Sequence, residues 1–475
     1  MKACLARWAF LATEVAKVRN DQPVKQREGF STSIGVLAAT LGSAIGLGNI
    51  WKFPSMTGQN GGAAFVVVYI VCVLLISLPV MLSEFIIGRR AGLNNVGAIR
   101  SLDSNPRSPW FLTGIAGVSA AFLIMFFYTD VAGWVYAYAL KAVMGTFAST
   151  DAAQTADIFS QHIGGAIAPL VWQWIVLVVI SVIIIAGVTK GIERMTKTLL
   201  PVLFVLLIVC DVRALTLPGA MEGVEYLLSP DFSKITPAVI LAALGLAFFK
   251  LSVGMGTMTT YGSYIGKKEN MPLNAMRVAG ADTLVSILAG LAIFPAVFAF
   301  GFKPDAGPSL LFITIPAVFQ TMPLGNIFLA MFFVLAAIAA TGAMISLLEV
   351  PVAYLTEERH WSRVKATIVS AGIMGAVGSL ATLSTSVLAD TKVFGKTFFD
   401  LFDFASSNLV LPIGGILICL FVGWKLGPAI IVDEASNEGT LRNRRLLQAF
   451  TFLVRYVAPA AILLVLLNGL GVIKL

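Results

Sequence analysis

Long apolar runs separated by short polar segments dominate this chain. About eleven of these runs are long enough to cross a bilayer as helices, which takes roughly 20 residues each. They cover residues 31–53, 62–88, 110–143, 170–188, 193–213, 236–264, 276–301, 325–355, 364–383, 403–424 and 448–471. The pattern predicts an all-α, polytopic membrane protein.

Composition and charge support this interpretation. The 475 residues are 58% hydrophobic and 12% charged, and the mean hydropathy of +0.89 excludes a soluble globular protein. The net charge of +8 does not indicate a nucleic-acid partner, because the basic residues lie in the loops between apolar runs. The lipid bilayer is therefore the expected surrounding.

The distribution of basic residues predicts an orientation. Arg89 and Arg90 follow the second run, Lys267 and Lys268 follow the sixth, and residues 144–169 contain no Lys or Arg. By the positive-inside rule, the basic loops are cytoplasmic and the 144–169 loop is external. An odd number of spans places the N-terminus inside and the C-terminus outside. Residues 1–30 are expected to form a cytoplasmic, amphipathic tail, because Arg7 and Glu14 interrupt any signal-peptide core.

Two spans, the first and the sixth, are interrupted by glycines at 42–48 and 254–256. Paired Gly-interrupted spans in corresponding positions predict broken helices around a binding site at the membrane midplane. Close helix packing through small residues is the alternative. Packing alone does not account for the polar residues that lie with the glycines, namely Ser43, Asn49, Lys250 and Ser252.

Lys250 lies in the middle of the sixth span. A charge at the bilayer centre is costly, and such residues usually have a partner and a function. Lys250 is too far from either end of its span for its ammonium to reach the headgroups easily. The sequence therefore predicts a buried counter-ion for it.

Several segments together resemble the neurotransmitter:sodium symporter family. They are GSAIGLGNIWKFP at 42–54, SVGMGTMTTYGSY at 252–264, LLEVPVAYL at 347–355 and KTFFDLFDF at 396–404. Their order covers nearly the whole chain. The resemblance implies a LeuT-type 5+5 inverted repeat with broken helices 1 and 6. The repeats would span about 31–213 and 236–424, and residues 425–475 would add a cytoplasmic loop and an eleventh helix.

The resemblance also implies a substrate site at the breaks. A carboxylate would meet the Tyr128 hydroxyl and the Gly48 amide, and an amino group the carbonyls of Ala44 and Phe249 with the Ser252 hydroxyl. The side-chain pocket would be lined by Ser43, Leu47, Ile124, Phe249, Met255, Ala343, Met344 and Leu347. This lining is almost wholly apolar, which suits a hydrophobic or aromatic ligand. Tyr128 as an ordinary core tyrosine is the alternative.

Two gates carry over from the family. Lys52 and Asp403 match the outer ion pair, where the family usually has Arg in place of Lys52. Lysine lacks the bidentate fork of arginine, so a looser gate is expected. Arg27 and Glu357, with Tyr264 beside them, match the inner pair. Ordinary interfacial charge remains an alternative for the inner pair.

The first sodium site departs from the family pattern. The family combines positions matching Ala44 and Asn49 with a threonine and an asparagine where this chain has Lys250 and Asp282. A tethered cation and its counter-ion thus replace sodium and its neutral ligands. This pair is either inert or proton-linked, and both possibilities argue against sodium there.

The second sodium site also departs. It would use carbonyls of Gly42, Ile45 and Ala339, but both hydroxyl positions, Gly342 and Ala343, lack oxygen. A bulge in the eighth span would let the neighbouring Thr341 restore one ligand. Chloride dependence is not expected either, because Leu246 replaces a glutamine and Asp282 repels an anion.

A secondary transporter without sodium coupling is therefore the leading hypothesis. Proton coupling through Lys250 and Asp282 is open, and so is the choice between an apolar amino acid and an uncharged aromatic such as indole. Conventional sodium symport and a non-transporting sensor are the alternatives. No P-loop, metal or nucleophile constellation indicates an enzyme or a cofactor. We expect a monomer or weak dimer in a bacterial inner membrane.

Overall fold

The computed structural model describes residues 29–105, 107–148, 152–304 and 310–473. The predicted tail over residues 1–30, and Arg27 with it, lies almost wholly outside the described residues. Within them, nine helices are long and apolar enough to cross a membrane, and one bent pair counts as a tenth. The prediction of an all-α, polytopic membrane protein is confirmed.

Within the described part of the chain the fold has seventeen helices of six residues or more, and their bounds are as follows. The first half contains α1 (Ser33–Ala44), α2 (Gly48–Gln59), α3 (Ala63–Ala91), α4 (Asn95–Leu102), α5 (Phe111–Val143), α6 (Ala152–Gly164), α7 (Ile167–Ile185), α8 (Val188–Leu215) and α9 (Ala220–Leu228). The second half contains α10 (Pro237–Lys250), α11 (Thr257–Gly262), α12 (Met271–Ala299), α13 (Leu310–Gln320), α14 (Gly325–Glu358), α15 (Arg363–Leu383), α16 (Phe398–Ala435) and α17 (Arg444–Gly469).

Both predicted breaks are present. Helices α1 and α2 form the bent pair, with 49° between their axes. Helices α10 and α11 occupy the predicted sixth span, and α10 has only 14 residues. Between them Ser252, Gly254 and Gly256 have positive φ angles of 52°, 81° and 75°. Positive φ angles are not helical, so the span is interrupted here. Glycine adopts such angles without strain, which explains its presence at two of the three positions.

Some predicted boundaries are wrong. The predicted span 403–424 lies within α16, which begins at Phe398. Gly427 interrupts α16 with a φ angle of 78°, and a further helical segment, Gly427–Ala435, follows where a loop was expected. The buried Glu434 in this segment has a partner of opposite charge, because its Oε1 lies 2.7 Å from Arg89 Nε.

Packing places the breaks at the centre of the molecule. The long helix α14 packs against α5 and α1, α12 packs against α2, and α10 packs against α3. Residues of these helices form one continuous apolar core, while apolar side chains on α7 and α8 point outward. An outward apolar surface of this kind matches a lipid environment.

Candidate functional site

The break between α1 and α2 leaves backbone amides without helical partners, and side chains supply them. The Gly46 amide donates to Asn49 Oδ1 at 3.1 Å, and the Leu47 amide donates to the Tyr128 hydroxyl at 2.8 Å. Tyr128 lies on α5. Tyr128, a predicted substrate residue, therefore reaches the first break. Its hydroxyl accepts a hydrogen bond from the Leu47 amide, next to the amide of Gly48.

The second break is held by Glu84 of α3 and by contacts to the first break. Glu84 accepts from the Gly254 amide at 2.6 Å and from the Thr259 amide at 3.1 Å. The Ser252 hydroxyl donates to the Ser43 carbonyl at 2.8 Å. The two broken helices are thus joined directly by hydrogen bonds.

Lys250 and Asp282 form a buried ion pair. Lys250 Nζ lies 3.1 Å from Asp282 Oδ2, and neither side chain has exposed area. The ammonium also donates to the hydroxyls of Tyr69 and Ser286. Its positive charge lies 5.0 Å from the centre of the Phe53 ring, within reach of a cation–π interaction.

The Asp282 carboxylate has further partners on two helices, α2 and α3. Asn49 Nδ2 donates to Oδ1 at 2.7 Å, and the Tyr69 hydroxyl donates to Oδ2 at 3.1 Å. Asn49 also donates to the Ser286 hydroxyl at 3.1 Å. The pair is therefore enclosed by hydrogen-bond partners, which a buried charge requires. Tyr69 and Ser286 are thus both bound by the Lys250 ammonium.

Four of the predicted substrate residues line a cavity of about 560 Å³, namely Leu47, Gly48, Tyr128 and Phe249. The other eight are buried around the breaks and do not line it: Ser43, Ala44, Ile124, Ser252, Met255, Ala343, Met344 and Leu347. A Cβ on Gly46 would lie 2.9 Å from both the Ala343 Cβ and the Tyr128 hydroxyl. Helix α14 and Tyr128 therefore pack closely on the first break.

Aromatic residues that the sequence analysis did not assign to the site complete the cavity wall. Phe159 and Phe399 line it together with Trp134. Trp134 stacks on Phe399 with ring centres 6.2 Å apart and an angle of 7° between the planes. The density of aromatic residues in 396–404 is the signal that points to Phe399, whereas no sequence signal marks Phe159.

The predicted second sodium site contains no side-chain oxygen at its two hydroxyl positions. A Cβ on Gly342 would lie 2.7 Å from the Gly42 carbonyl oxygen, so α1 and α14 touch at this point. Ala343, Ala339 and Ile45 are buried beside this contact. Helix α14 is α-helical throughout, and the Thr341 hydroxyl donates to the Ala337 carbonyl at 2.7 Å. The bulge that would bring Thr341 into this site is absent from α14.

The predicted gate residues lie at opposite ends of the core. Lys52 Nζ is 4.0 Å from Asp403 Oδ1 and 4.1 Å from the centre of the Phe249 ring, at the rim of the cavity. At the other end, Glu357 accepts from the Asn94 amide at 2.6 Å. The Tyr264 hydroxyl donates to Glu349 Oε1 at 2.7 Å. The predicted partner of Glu357, Arg27, lies outside the described residues.

Comparison with known proteins identifies the family. The family model described as the Sodium:neurotransmitter symporter family matches residues 27–158 and 159–474. The uncharacterized sodium-dependent transporter YhdH of Bacillus subtilis is 40% identical over 445 residues, covering 94% of this chain and 98% of YhdH. An uncharacterized sodium-dependent transporter of Haemophilus influenzae is 34% identical over 457 residues, covering 94% of this chain and 99% of its own.

A solved structure is also similar. The crystal structure of MhsT in complex with L-phenylalanine superposes with a TM-score of 0.86 and is 42% identical. The match covers 93% of this chain and 100% of MhsT. These similarities extend over almost the full length, and the proteins concerned are transporters rather than enzymes. The chain therefore belongs to the sodium:neurotransmitter symporter family and is an integral membrane protein with the LeuT-type fold.

Proposed function

We propose that this secondary transporter carries a small hydrophobic or aromatic substrate by alternating access and does not need sodium. The observation that carries the proposal is the fully buried Lys250–Asp282 pair, whose charged atoms are 3.1 Å apart. In the family, positions 250 and 282 supply neutral sodium ligands. An ammonium at this position repels sodium, and the carboxylate at position 282 binds the ammonium instead.

The second sodium site supports the same proposal. Gly342 and Ala343 offer no hydroxyl, and the hydroxyl of the adjacent Thr341 is bonded within its own helix. Sodium, a hard cation, needs several oxygen ligands, and backbone carbonyls alone leave the site incomplete. Neither family site therefore retains its usual set of ligands in this chain.

The cavity favours an aromatic or apolar substrate. Phe249, Trp134 and Phe399 contribute ring surfaces to its wall. Flat apolar molecules bury well against such surfaces. The similar protein MhsT was solved in complex with L-phenylalanine. An apolar amino acid and an uncharged aromatic such as indole both fit this chemistry.

The polar end of the substrate distinguishes these two classes. Lys250 is enclosed and neutralised by Asp282, so it offers no contact to a substrate carboxylate in this geometry. The Tyr128 hydroxyl lies at the cavity wall, where it accepts from the Leu47 amide and has its own O–H to donate. A carboxylate would have to bind there without a sodium ion, whereas indole needs one hydrogen-bond acceptor for its N–H.

Proton coupling through the Lys250–Asp282 pair is part of the sequence-based hypothesis. The geometry favours a fixed pair instead, because each charged group is satisfied by several partners and separated from the cavity. If the ammonium loses its proton during transport, uptake in a Lys250→Met variant should lose its response to a pH gradient. A retained response assigns the pair a structural role.

Conventional sodium symport is the second candidate function. Its support is that the similar proteins of Bacillus subtilis and Haemophilus influenzae are named sodium-dependent transporters. A non-transporting sensor is the third. The retained outer pair, Lys52 and Asp403 at 4.0 Å, favours transport over sensing, because a binding-only protein has no need of a gate.

We also propose a bacterial inner-membrane protein, a monomer or weak dimer, with its N-terminus cytoplasmic and its C-terminus external. The basic loops after α3 and α11 support this orientation. Labelling of single cysteines introduced near each terminus in intact cells tests the orientation. If an impermeant reagent labels the cysteine near the N-terminus, the N-terminus is external and the proposed orientation is wrong.

An uptake panel tests the proposed function. Purified protein in liposomes is given radiolabelled L-phenylalanine, L-tryptophan, indole, glycine or L-glutamate, with sodium or choline at equal ionic strength. Uptake of at least one aromatic compound at equal rates in both salts supports the proposal. Uptake that requires sodium supports conventional symport, and saturable binding without uptake of any compound supports the sensor.

A further inference from the structure

Asp130 is a buried carboxyl group to which the site described above gives no role. It lies on α5, two residues after Tyr128, and has no exposed area. Among the described residues neither of its carboxyl oxygens has a hydrogen-bond partner. In contrast, the buried acids of the two breaks have partners: Glu84 accepts from backbone amides, and Asp282 forms an ion pair with Lys250.

Two donors lie beside this carboxyl without binding it in good geometry. The Trp134 indole N–H is close to Asp130 and has no partner of its own. The Thr382 hydroxyl is also close, but it donates to Gln173 Oε1 at 3.1 Å. An orphaned donor and an orphaned acceptor therefore lie side by side. One face of the same indole lines the 560 Å³ cavity.

Charged side chains do not compensate Asp130. The elements packed against α5 are α4, α7, α14, α15 and α16, and α6 contacts it through Trp134. Their charged or titratable residues, with those of α5 beside Asp130, are Arg100, Asp157, His162, Glu349, Tyr354, Glu357, Glu358, Arg363, Lys365, Asp400, Asp403, Cys419, Lys425, Asp433, Glu434, Tyr128, Tyr136, Tyr138 and Lys141. Within the described part of the chain, none of them forms an ion pair or hydrogen bond with Asp130.

An isolated carboxylate in such a place is strongly unfavourable, and the group instead takes up a proton. Acidic residues inside membrane spans are rare and frequently belong to proton pathways. We propose that Asp130 is the proton-binding site that couples transport to the proton gradient. This inference rests on the proposed function, since a transporter that does not use sodium needs another ion to drive uphill uptake.

The geometry suggests how the proton moves. With α5, α15 and α16 packed together, Asp130 is enclosed and holds its proton as a neutral acid. Trp134 separates the carboxyl from the cavity. When this indole turns and water reaches the carboxyl, the proton leaves and the carboxylate is hydrated. Opening to one side of the membrane at a time then moves one proton with each cycle, while Lys250 and Asp282 keep their charges.

The test uses the full-length protein in liposomes, with the aromatic compound from the uptake panel that is transported best. Uptake is measured with and without an imposed pH gradient, and substrate exchange is measured without any gradient. For Asp130→Asn, we expect uptake to fall to its no-gradient level while exchange continues. Asp130→Glu should keep the response to the gradient. Asp211→Asn is the matched control, because Asp211 on α8 is likewise buried and unpaired among the described residues.

A second readout does not depend on transport. The infrared spectrum of wild-type protein at neutral pH should contain a band of a protonated carboxylic acid that is missing in Asp130→Asn. An Asp130→Asn variant that keeps the wild-type response to the gradient overturns the inference, as does an unchanged carboxylic-acid band. Uptake that requires sodium in wild type overturns the proposed function instead, and the infrared band still decides whether Asp130 holds a proton.

Discussion

Lys250 Nζ lies 3.1 Å from Asp282 Oδ2, and neither side chain has any area exposed. The two residues come from different helices, α10 and α12, and each also contacts Tyr69. A buried charge of either sign is tolerated only with such a partner. The pair therefore has to be treated as a unit, both in folding and in ion selectivity.

The first prediction concerns this unit. Lys250→Ala or Asp282→Ala alone leaves an unpaired charge in the core, which typically costs ~3–5 kcal/mol of folding stability. Each single variant should melt well below wild type, or fail to accumulate. The double variant Lys250→Thr with Asp282→Asn removes both charges, so it should recover most of the loss. Melting of the purified proteins in detergent gives the comparison.

The exposed pair Lys234–Asp231 is the control, with side chains 52% and 54% exposed and charged atoms 3.9 Å apart. Lys234→Ala should leave the melting temperature nearly unchanged, because solvent screens exposed pairs. If the Lys250 and Asp282 single variants behave like this control, or if the double variant is no better than they are, the two residues are not coupled.

A second prediction concerns the contact between α1 and α14. Gly342→Ala should destabilise the protein by about 1–3 kcal/mol, because its Cβ would lie 2.7 Å from the Gly42 carbonyl oxygen. Gly372→Ala in α15 is the matched control, since nothing lies within 4 Å of the Cβ it adds. Equal melting temperatures for the two variants would show that α1 and α14 are not in tight contact.

The outer gate gives a third prediction. Lys52 and Asp403 are 32% and 41% exposed, and their charged atoms are at the outer limit of an ion pair. In Lys52→Arg the guanidinium can bind the carboxylate with two hydrogen bonds, so the closed gate should be more stable and exchange slower. Adding Asp403→Asn should abolish this slowing. Exchange in Lys52→Arg as fast as in wild type would remove the gate role.

A fourth prediction concerns the cavity wall. Because Phe249, Trp134 and Phe399 present rings to the cavity, L-phenylalanine, L-tryptophan or indole should compete for binding far better than glycine or L-glutamate. Phe399→Ala should weaken aromatic competitors, and Phe394→Ala, at a side chain 93% exposed, should not. Preference for the polar compounds would show that the substrate does not bind in this cavity.

Much of this architecture is predictable from sequence because membrane helices leave long apolar runs. The breaks were predictable as well, since Gly254 and Gly256 have the positive φ angles for which glycine is suited. The partner of Lys250 was predictable through the family alignment, because a buried ammonium demands a counter-ion.

Other features depend on packing that no local pattern encodes. The helical segment Gly427–Ala435, where a loop was expected, packs Glu434 against Arg89, 345 residues away in sequence. The place of Phe159 in the cavity depends on α6 folding over Trp134, with ring centres 5.6 Å apart. The lack of a hydrogen-bond partner for the Asp130 carboxyl among the described residues likewise depends on how the surrounding helices pack, which the sequence around Asp130 does not encode.

Stabilisation of the protein by a bound ligand shows whether this transporter binds its substrate without sodium. Melting of the purified protein is followed with the best aromatic competitor, in sodium and in choline at equal ionic strength. If substrate binding does not need sodium, the melting temperature of wild type should rise equally in both salts. A rise that appears only in sodium would show that substrate binding needs sodium and that sodium binds despite Lys250.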